Sequence, residues 1–348
     1  MRLAVVGAGI AGLAVQQGRD YRIDTGFIVY NPEHYPLLTR LFGELAVISQ
    51  PTQMSFSVHN QATGLEYNAT TLDTLFCPRS NLWSPRFVGM VRDLRRFYRE
   101  SPALEFPARF LVQFMSNHQM LQMTGRPQWR VVRGGSSSYV RALRARWAVC
   151  ERLNCAVRSI RRRPDSVELE SAAGMEHFDQ VVLACHSDQA LALLTDADER
   201  ERSILGDMHY QANHIVLHTD SSVLPVRRKA WAAWNAYLRR NPSESCTVSY
   251  CMNLLEGIES VEPFVVTLNR SGAINPQKVL RRIEYHHPIH TRASVAAQSR
   301  KAEIQGKRRT WFAGAYWGWG FHEDGMRSAV DVAGALGVPW PSRMADAA

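Results

Sequence analysis

Hydrophobic and polar positions along this chain fall into short segments, some continuous or of period two and others with helical spacing. Leu3-Ala4-Val5-Val6 is an apolar run ending at Gly7, the pattern of a buried strand, and a helix is predicted to begin at Gly12. Tyr21–Tyr30 is rich in aromatic and β-branched residues and stops at Asn31-Pro32, which predicts a second strand. Tyr35–Leu45 reads as a helix and Met54–Val58 as a half-buried strand. Phe87–Tyr98 places apolar residues opposite arginines, as a surface helix does, and Pro102–Met123, dense in Phe, Leu and Met, predicts a buried or pocket-lining helical pair. Beyond Cys155 come three predicted strands, Ala156–Arg163, Ser166–Ser171 and Phe178–Ala184, then a helix over Asp188–Leu194. His214–His218, Thr247–Met252 and Phe264–Leu268 read as antiparallel strands of a second sheet, and Asn275–Arg282 as a short helix. A strand, Thr310–Ala313, then meets Gly314 and an aromatic loop, with a final helix from about Gly325 to Leu336.

A length of 348 residues predicts two domains rather than one. Hydrophobic residues at 45% and charged residues at 21% exclude a disordered or membrane-dominated chain, and no apolar run reaches the roughly 18 residues of a bilayer span. The expected location is the cytoplasm, and the six cysteines, with no C-x-x-C pair, read as reduced thiols. The net charge of +9 comes from dispersed runs such as Arg161–Arg163, Arg239-Arg240 and Arg281-Arg282. Without interleaved aromatics these do not predict a nucleic-acid partner; peripheral contact with an acidic membrane surface stays open.

The chemistry begins at Gly7-Ala8-Gly9-Ile10-Ala11-Gly12, a G-x-G-x-x-G turn directly after a strand. Gly7 permits the tight turn, Gly9 lets backbone approach a pyrophosphate, and Gly12 permits close helix packing. An acidic residue is normally found about 20 residues on, at the end of the second strand, to hold the ribose hydroxyls. Only Leu13–Asp20 separates Gly12 from the next strand, and a parallel crossover needs a dozen or more residues. Asp20 and Asp24 are the nearby acids and neither occupies the expected position. The second informative stretch is 311–329, where a strand ends at Gly314 and small residues line the following helix. Tyr316, Trp317, Trp319 and Phe321 are candidates for a substrate-pocket wall or for plain core packing, and His322, Glu323 and Asp324 for helix capping. His286-His287-Pro288-Ile289-His290 reads as a polar loop rather than a metal site, because Pro288 breaks helical ligand spacing.

Taken together, Val5–Ala14, Ile23–Asn31, Met54–Val58, Arg133-Gly134-Gly135-Ser136, Phe178–His186 and Phe312–Ala329 resemble the flavin-containing amine oxidase superfamily. Within it they look like bacterial NAD/FAD-binding oxidoreductases related to the flavoprotein-like N-terminal region of plant cyclopropane fatty-acid synthases. The resemblance implies an α/β fold: a Rossmann-like FAD-binding domain, truncated after its first helix, with an inserted α+β substrate domain. It divides the chain into 1–45 plus 134–198 plus 303–340 for FAD, 46–133 plus 199–302 for substrate, and a tail at 341–348. It implies FAD contacts at Gly7, Gly9, Ile10, Ala11, Gly12, Thr25, Gly26, Val157, Gly314, Ala315, Gly325 and Met326. The implied activity is hydride transfer to flavin from a small molecule, an amine or an apolar fatty-acyl substrate, with no catalytic side chain and no metal assigned. Contractions after Gly12 and between Arg99 and Phe106 leave open a truncated, inactive flavoprotein-like protein with a binding role.

Overall fold

The computed structural model describes residues 1–6, 12–16, 19–85, 87–89, 92, 127–146, 149–240, 247–338 and 340. The predicted helices at Phe87–Tyr98 and Pro102–Met123 fall largely or wholly outside them. In chain order the strands are β1 (Leu3–Val6), β2 (Gly12–Gln16), β3 (Arg19–Ile23), β4 (Ser49–Pro51), β5 (Phe56–Asn60), β6 (Leu65–Asn68), β7 (Arg130–Val132), β8 (Val157–Arg162) and β9 (Val167–Ser171). They continue with β10 (Gly174–Phe178), β11 (Gln180–Leu183), β12 (Tyr210–His218), β13 (Trp234–Leu238), β14 (Thr247–Cys251), β15 (Val265–Leu268), β16 (Val279–Pro288) and β17 (Thr310–Phe312). The helices that matter here are α1 (Pro36–Glu44), α2 (Ser137–Arg144), α3 (Ser187–Leu193), α4 (Glu199–Gly206), α5 (Arg292–Ser299) and α6 (His322–Ala335).

Three apolar runs distant in sequence form one parallel sheet in the order β1-β11-β17. Parallel sheets need cover on both faces. One face carries Ala190, Leu194, Ile204, Leu205 and Ala297 from and around α3, α4 and α5, packed on Ala4, Val181, Leu183 and Phe312. On the other, Val332 of α6 and Leu336 just after it cover Val182, Ala313 and Trp311. A β8-β9-β10 meander adjoins this layer, held by Arg162, whose guanidinium binds both oxygens of Glu201 at 2.8 Å and reaches Asp196 at 2.7 Å. The second sheet has seven strands in the order β16-β12-β15-β14-β13-β5-β6. Its face bearing Ile215, Leu217 and Val266 packs on Ile23, Ile28 and Val29, so the N-terminal segment lies against the second sheet.

The structure corrects several expectations. Gly12 opens a strand, not a helix: β2 pairs antiparallel with β3, Gly12 opposite Ile23. Eight residues cannot supply a helix and a return, whereas a hairpin closes within that length. With no helix over it among the described residues, Val5 is 62% exposed at the edge of the sheet. The strand expected over Tyr21–Tyr30 ends at Ile23. Asn275–Arg282 is a 3-10 turn at Pro276–Lys278 running into β16, and the His286–His290 loop is mostly the end of that strand, whose burial alternates too weakly for the pattern to show it. No group of metal-ligating side chains forms among the described residues. β10 is an extra strand between the two predicted around Ala172-Ala173-Gly174, since Gly174 turns with φ +104°.

Under the seven-stranded sheet runs a buried polar row. Ser57 donates to Asn235 at 2.7 Å, Ser249 and Thr267 hydroxyls meet at 2.8 Å, and Thr267 meets His218 Nε2 at 2.8 Å. His218 Nδ1 accepts from the Asp220 amide at 3.1 Å, so its proton sits on Nε2. Burial pushes this imidazole down to about 4, with Asp220 opposing. The unfolded chain therefore takes up the proton first: His218 costs no stability above pH 6.5, and stability falls as pH drops from there toward 4. We expect urea unfolding to show the wild type losing about 2 kcal/mol more than His218→Gln between pH 7 and pH 5. Equal losses would contradict the assignment.

Candidate active site

Val6, Leu183 and Phe312 stand in one row across β1, β11 and β17, so three strands end at a common carboxyl edge. The ladder runs one step further, Ala184 donating to Val6 O at 2.8 Å and Ala313 to Leu183 O at 2.9 Å. In parallel sheets ligands settle beyond this edge, because connections to opposite faces open a crevice there. Gly7 follows β1 here and Gly314 follows β17. The Gly314 amide donates to Ser328 Oγ on α6 at 2.8 Å, and a Cβ on Gly314 would stand 2.2 Å from the Tyr316 ring, so the chain can fold back here only without a side chain. A Cβ on Gly325, by contrast, would find its nearest atoms, the N and Cβ of Ala315, at 3.9 and 4.0 Å.

The N-terminal segment reaches the same place. Phe27 stacks against His322 with ring centroids 4.1 Å apart, and Phe321 and Met326 pack into the cluster of Phe27, Tyr30, Leu38 and Phe42. Thr25 is buried with its hydroxyl 2.7 Å from Tyr285 Oη of β16, and among the described residues no atom lies within 4 Å of where a Gly26 Cβ would be. Asp24 caps α2: its carboxylate accepts from the Ser136 amide at 2.7 Å and the Ser136 hydroxyl at 2.6 Å. Gly134 and Gly135 at φ +76° and +80° make that approach, a backbone region that disfavours side chains. The amide of Asp24 donates to Glu256 Oε1 at 2.9 Å. Burial raises the pKa of both carboxyls, most strongly at Glu256, where the Asp24 charge adds to it.

The helix α6 starts at His322, so Gly325 lies within its first turn rather than at its tip. Asp324 caps it, accepting from the Trp319 and Phe321 amides at 2.9 and 3.0 Å. Glu323 reaches across to α1 and accepts from the Leu37 and Leu38 amides at 2.9 and 3.0 Å. These anchors bring Thr25, Gly26, Gly314, Ala315, Gly325 and Met326 into one neighbourhood, and Val157 packs on the adjoining core cluster, as Val6 does. Gly7, Gly9, Ile10 and Ala11 lie outside the described residues. Of the aromatic candidates, Tyr316 and Trp317 pack into the core of the parallel sheet, the Trp319 carbonyl meets His290 Nε2 at 3.2 Å, and Phe321 lines the Phe27 cluster. The Tyr316 hydroxyl is buried without a partner among the described residues, its neighbouring indole N–H on Trp317 being committed to Phe312 O at 3.0 Å. Sequence reasoning missed Glu256 and Tyr285; a single Glu or Tyr within an apolar segment carries no signal of its own.

The sequence profile of the flavin containing amine oxidoreductase family matches residues 88–249. Among solved structures, a CLA-producing fatty acid isomerase from P. acnes is similar, with TM-score 0.62 and 14% identity over 93% of this chain and 89% of that one. Cyclohexylamine oxidase from Brevibacterium oxydans IH-35A gives TM-score 0.58 and 14% identity, covering 90% and 87% of the two chains. A putrescine oxidase bound to putrescine gives 0.57 and 12%, covering 94% and 90%. No curated protein matches the chain. The fold is thus the α/β fold that these solved structures share. The chain is similar in sequence to the flavin-containing amine oxidoreductases across the middle of its length.

Proposed function

We propose that the chain is an FAD-dependent oxidoreductase that accepts a hydride from an amine or an apolar, fatty-acyl small molecule. One observation carries this reading: the carboxyl ends of β1, β11 and β17 stand in register, with Gly314 beyond the last and Gly325 beside Ala315. Three features support a fit to FAD. The site of Gly26 leaves open space among the described residues and that of Gly325 admits only ordinary contact, Gly314 tolerates no side chain, and the Tyr316 hydroxyl is buried without a partner among the described residues. Gly7, Gly9, Ile10, Ala11 and Gly12 would face the pyrophosphate and Val157 the adenine. Gly314 and Ala315 would follow the ribityl chain, with Thr25, Gly26, Gly325 and Met326 at the ring. Bound flavin supplies the hydride acceptor. The chain's own residues position it and keep it dry: the Phe27 cluster closes one side, and the seven-stranded sheet, within the substrate domain 46–133 plus 199–302, walls the other.

A second reading, a binding protein without catalysis, is favoured by the β2–β3 hairpin, which stands where a ribose-binding strand belongs, and by Asp24, whose carboxylate is spent on Ser136. Incubation with excess FAD, gel filtration and a spectrum of the protein peak separates the two. Flavin absorbance co-eluting with the protein is expected. A colourless protein peak contradicts flavin binding and leaves the second reading.

A further inference from the structure

The strands β5, β13 and β15 run parallel to one another within the seven-stranded sheet, so their carboxyl ends emerge at one sheet edge. Beyond β13 comes Arg239-Arg240, beyond β15 Asn269-Arg270, and beyond β5 Gln61. These residues and Tyr237 line an open cavity of about 760 Å³. The geometry points to a second ligand site here, one that takes a phosphate group.

The Arg239 and Arg270 side chains are held rather than loose, and Arg240 is fixed at its backbone. The Arg270 guanidinium lies 3.4 Å from the centroid of the Tyr237 ring, and its Nη1 donates to Val223 O at 3.4 Å. Arg239 Nη2 donates to Asn269 O at 3.4 Å, and the Arg240 amide to Gln61 Oε1 at 3.2 Å. Among the described residues no carboxylate forms an ion pair with Arg240 or Arg270. The buried carboxylate of the neighbouring edge strand, Glu66, is taken by His59 at 3.2 Å, Arg227 at 3.1 Å and the Val226 amide at 2.7 Å. Burial, together with the adjacent Arg239 charge, holds the Arg270 pKa below its ordinary value. Cations gathered in one cavity repel each other, and a bound dianion relieves that repulsion. Planar guanidinium groups pair bidentately with phosphate, and a cavity of this size suits a small phosphate ester or a lipid headgroup rather than a bare ion. Gln61 and Asn269 add neutral polar groups at its rim.

The inference stands apart from the flavin reading, because the cavity lies at another sheet and no residue of the carboxyl-edge site lines it. The test compares the wild type with Arg240→Gln/Arg270→Gln and with Arg161→Gln/Arg281→Gln, which removes the same charge from exposed positions elsewhere. The exposed single variant Arg240→Gln guards against a folding defect in the pocket variant. Inorganic phosphate is titrated calorimetrically, and vesicles of phosphatidylcholine with and without phosphatidylglycerol are floated with each protein. The wild type is expected to bind phosphate, the pocket variant at least about tenfold more weakly, the single variant in between, and the surface control unchanged. If phosphatidylglycerol vesicles show the same dependence, the ligand is a lipid headgroup; if phosphate alone does, it is a soluble ester. Absence of binding to both probes, or equal weakening in the two double variants, overturns the site.

Discussion

Arg162→Ala is expected to destabilise the protein by about 3–5 kcal/mol, the largest loss from any single truncation outside the apolar core. Arg162 and Glu201 side chains are each 1% exposed and joined by two hydrogen bonds at 2.8 Å. Burial alone would push the arginine pKa down, but Glu201 and Asp196 outweigh it and raise it, so the guanidinium stays charged. Removing the guanidinium leaves buried Glu201 with only the longer contact to Arg308, at 3.7 Å, as a compensating cation, while Asp196 keeps Arg308 at 2.5 Å and the backbone amide of residue 162 at 3.1 Å. Glu201 also closes the capping box of α4 with Asp198, so the strain reaches the layer beneath β11. Replacing both members by apolar residues, Arg162→Met with Glu201→Leu, should recover most of the loss, since no charge is then stranded. Urea unfolding measures both variants; a loss below about 1 kcal/mol for Arg162→Ala would contradict the role given to the pair.

Gly325→Ala should make the fold more stable and the flavin site worse. In a helix interior alanine exceeds glycine by roughly 0.5–1 kcal/mol, and the nearest atoms to the added methyl stand at an ordinary 3.9 Å. The same methyl enters the gap between α6 and Ala315 where the ring edge would lie. A melting temperature at or above wild type, with FAD affinity weakened about 10- to 100-fold, is the expected pair of results. Gly325→Leu should abolish flavin uptake while the melting temperature stays near wild type. Unchanged affinity in both variants would remove Gly325 from the site. Gly314→Ala behaves differently: its methyl collides with the buried Tyr316 ring, so fold and flavin should fail together.

The sequence revealed the parts of this fold whose signal is local. β1, β11 and β17 are apolar runs that end in small residues, and α1, α3 and most of α6 carry clear helical spacing. Within the proposed site Gly314 is legible in the same way, because the chain folds back where a Cβ would stand 2.2 Å from the Tyr316 ring. What stayed hidden depends on pairing across long separations. Asp24 and Ser136 are 112 residues apart, and only the folded chain shows that one caps the helix following the other. Glu323 serves α1 from the far end of the chain for the same reason. β16 hides because a partly exposed strand with polar residues on both faces gives no period to read, and Pro276 beside Asn275 imitates a helix start. The hairpin after β1 was foreshadowed only as a shortage of residues, which rules out a crossover without dictating its replacement.

The central claim is that one dinucleotide-linked ring spans the two glycine turns, and a structure determined after soaking with FAD tests it most directly. Pyrophosphate density is expected beyond Val6, with the isoalloxazine beside Gly325 and Met326. FAD bound elsewhere on the protein, or none bound at saturating concentration, would contradict it.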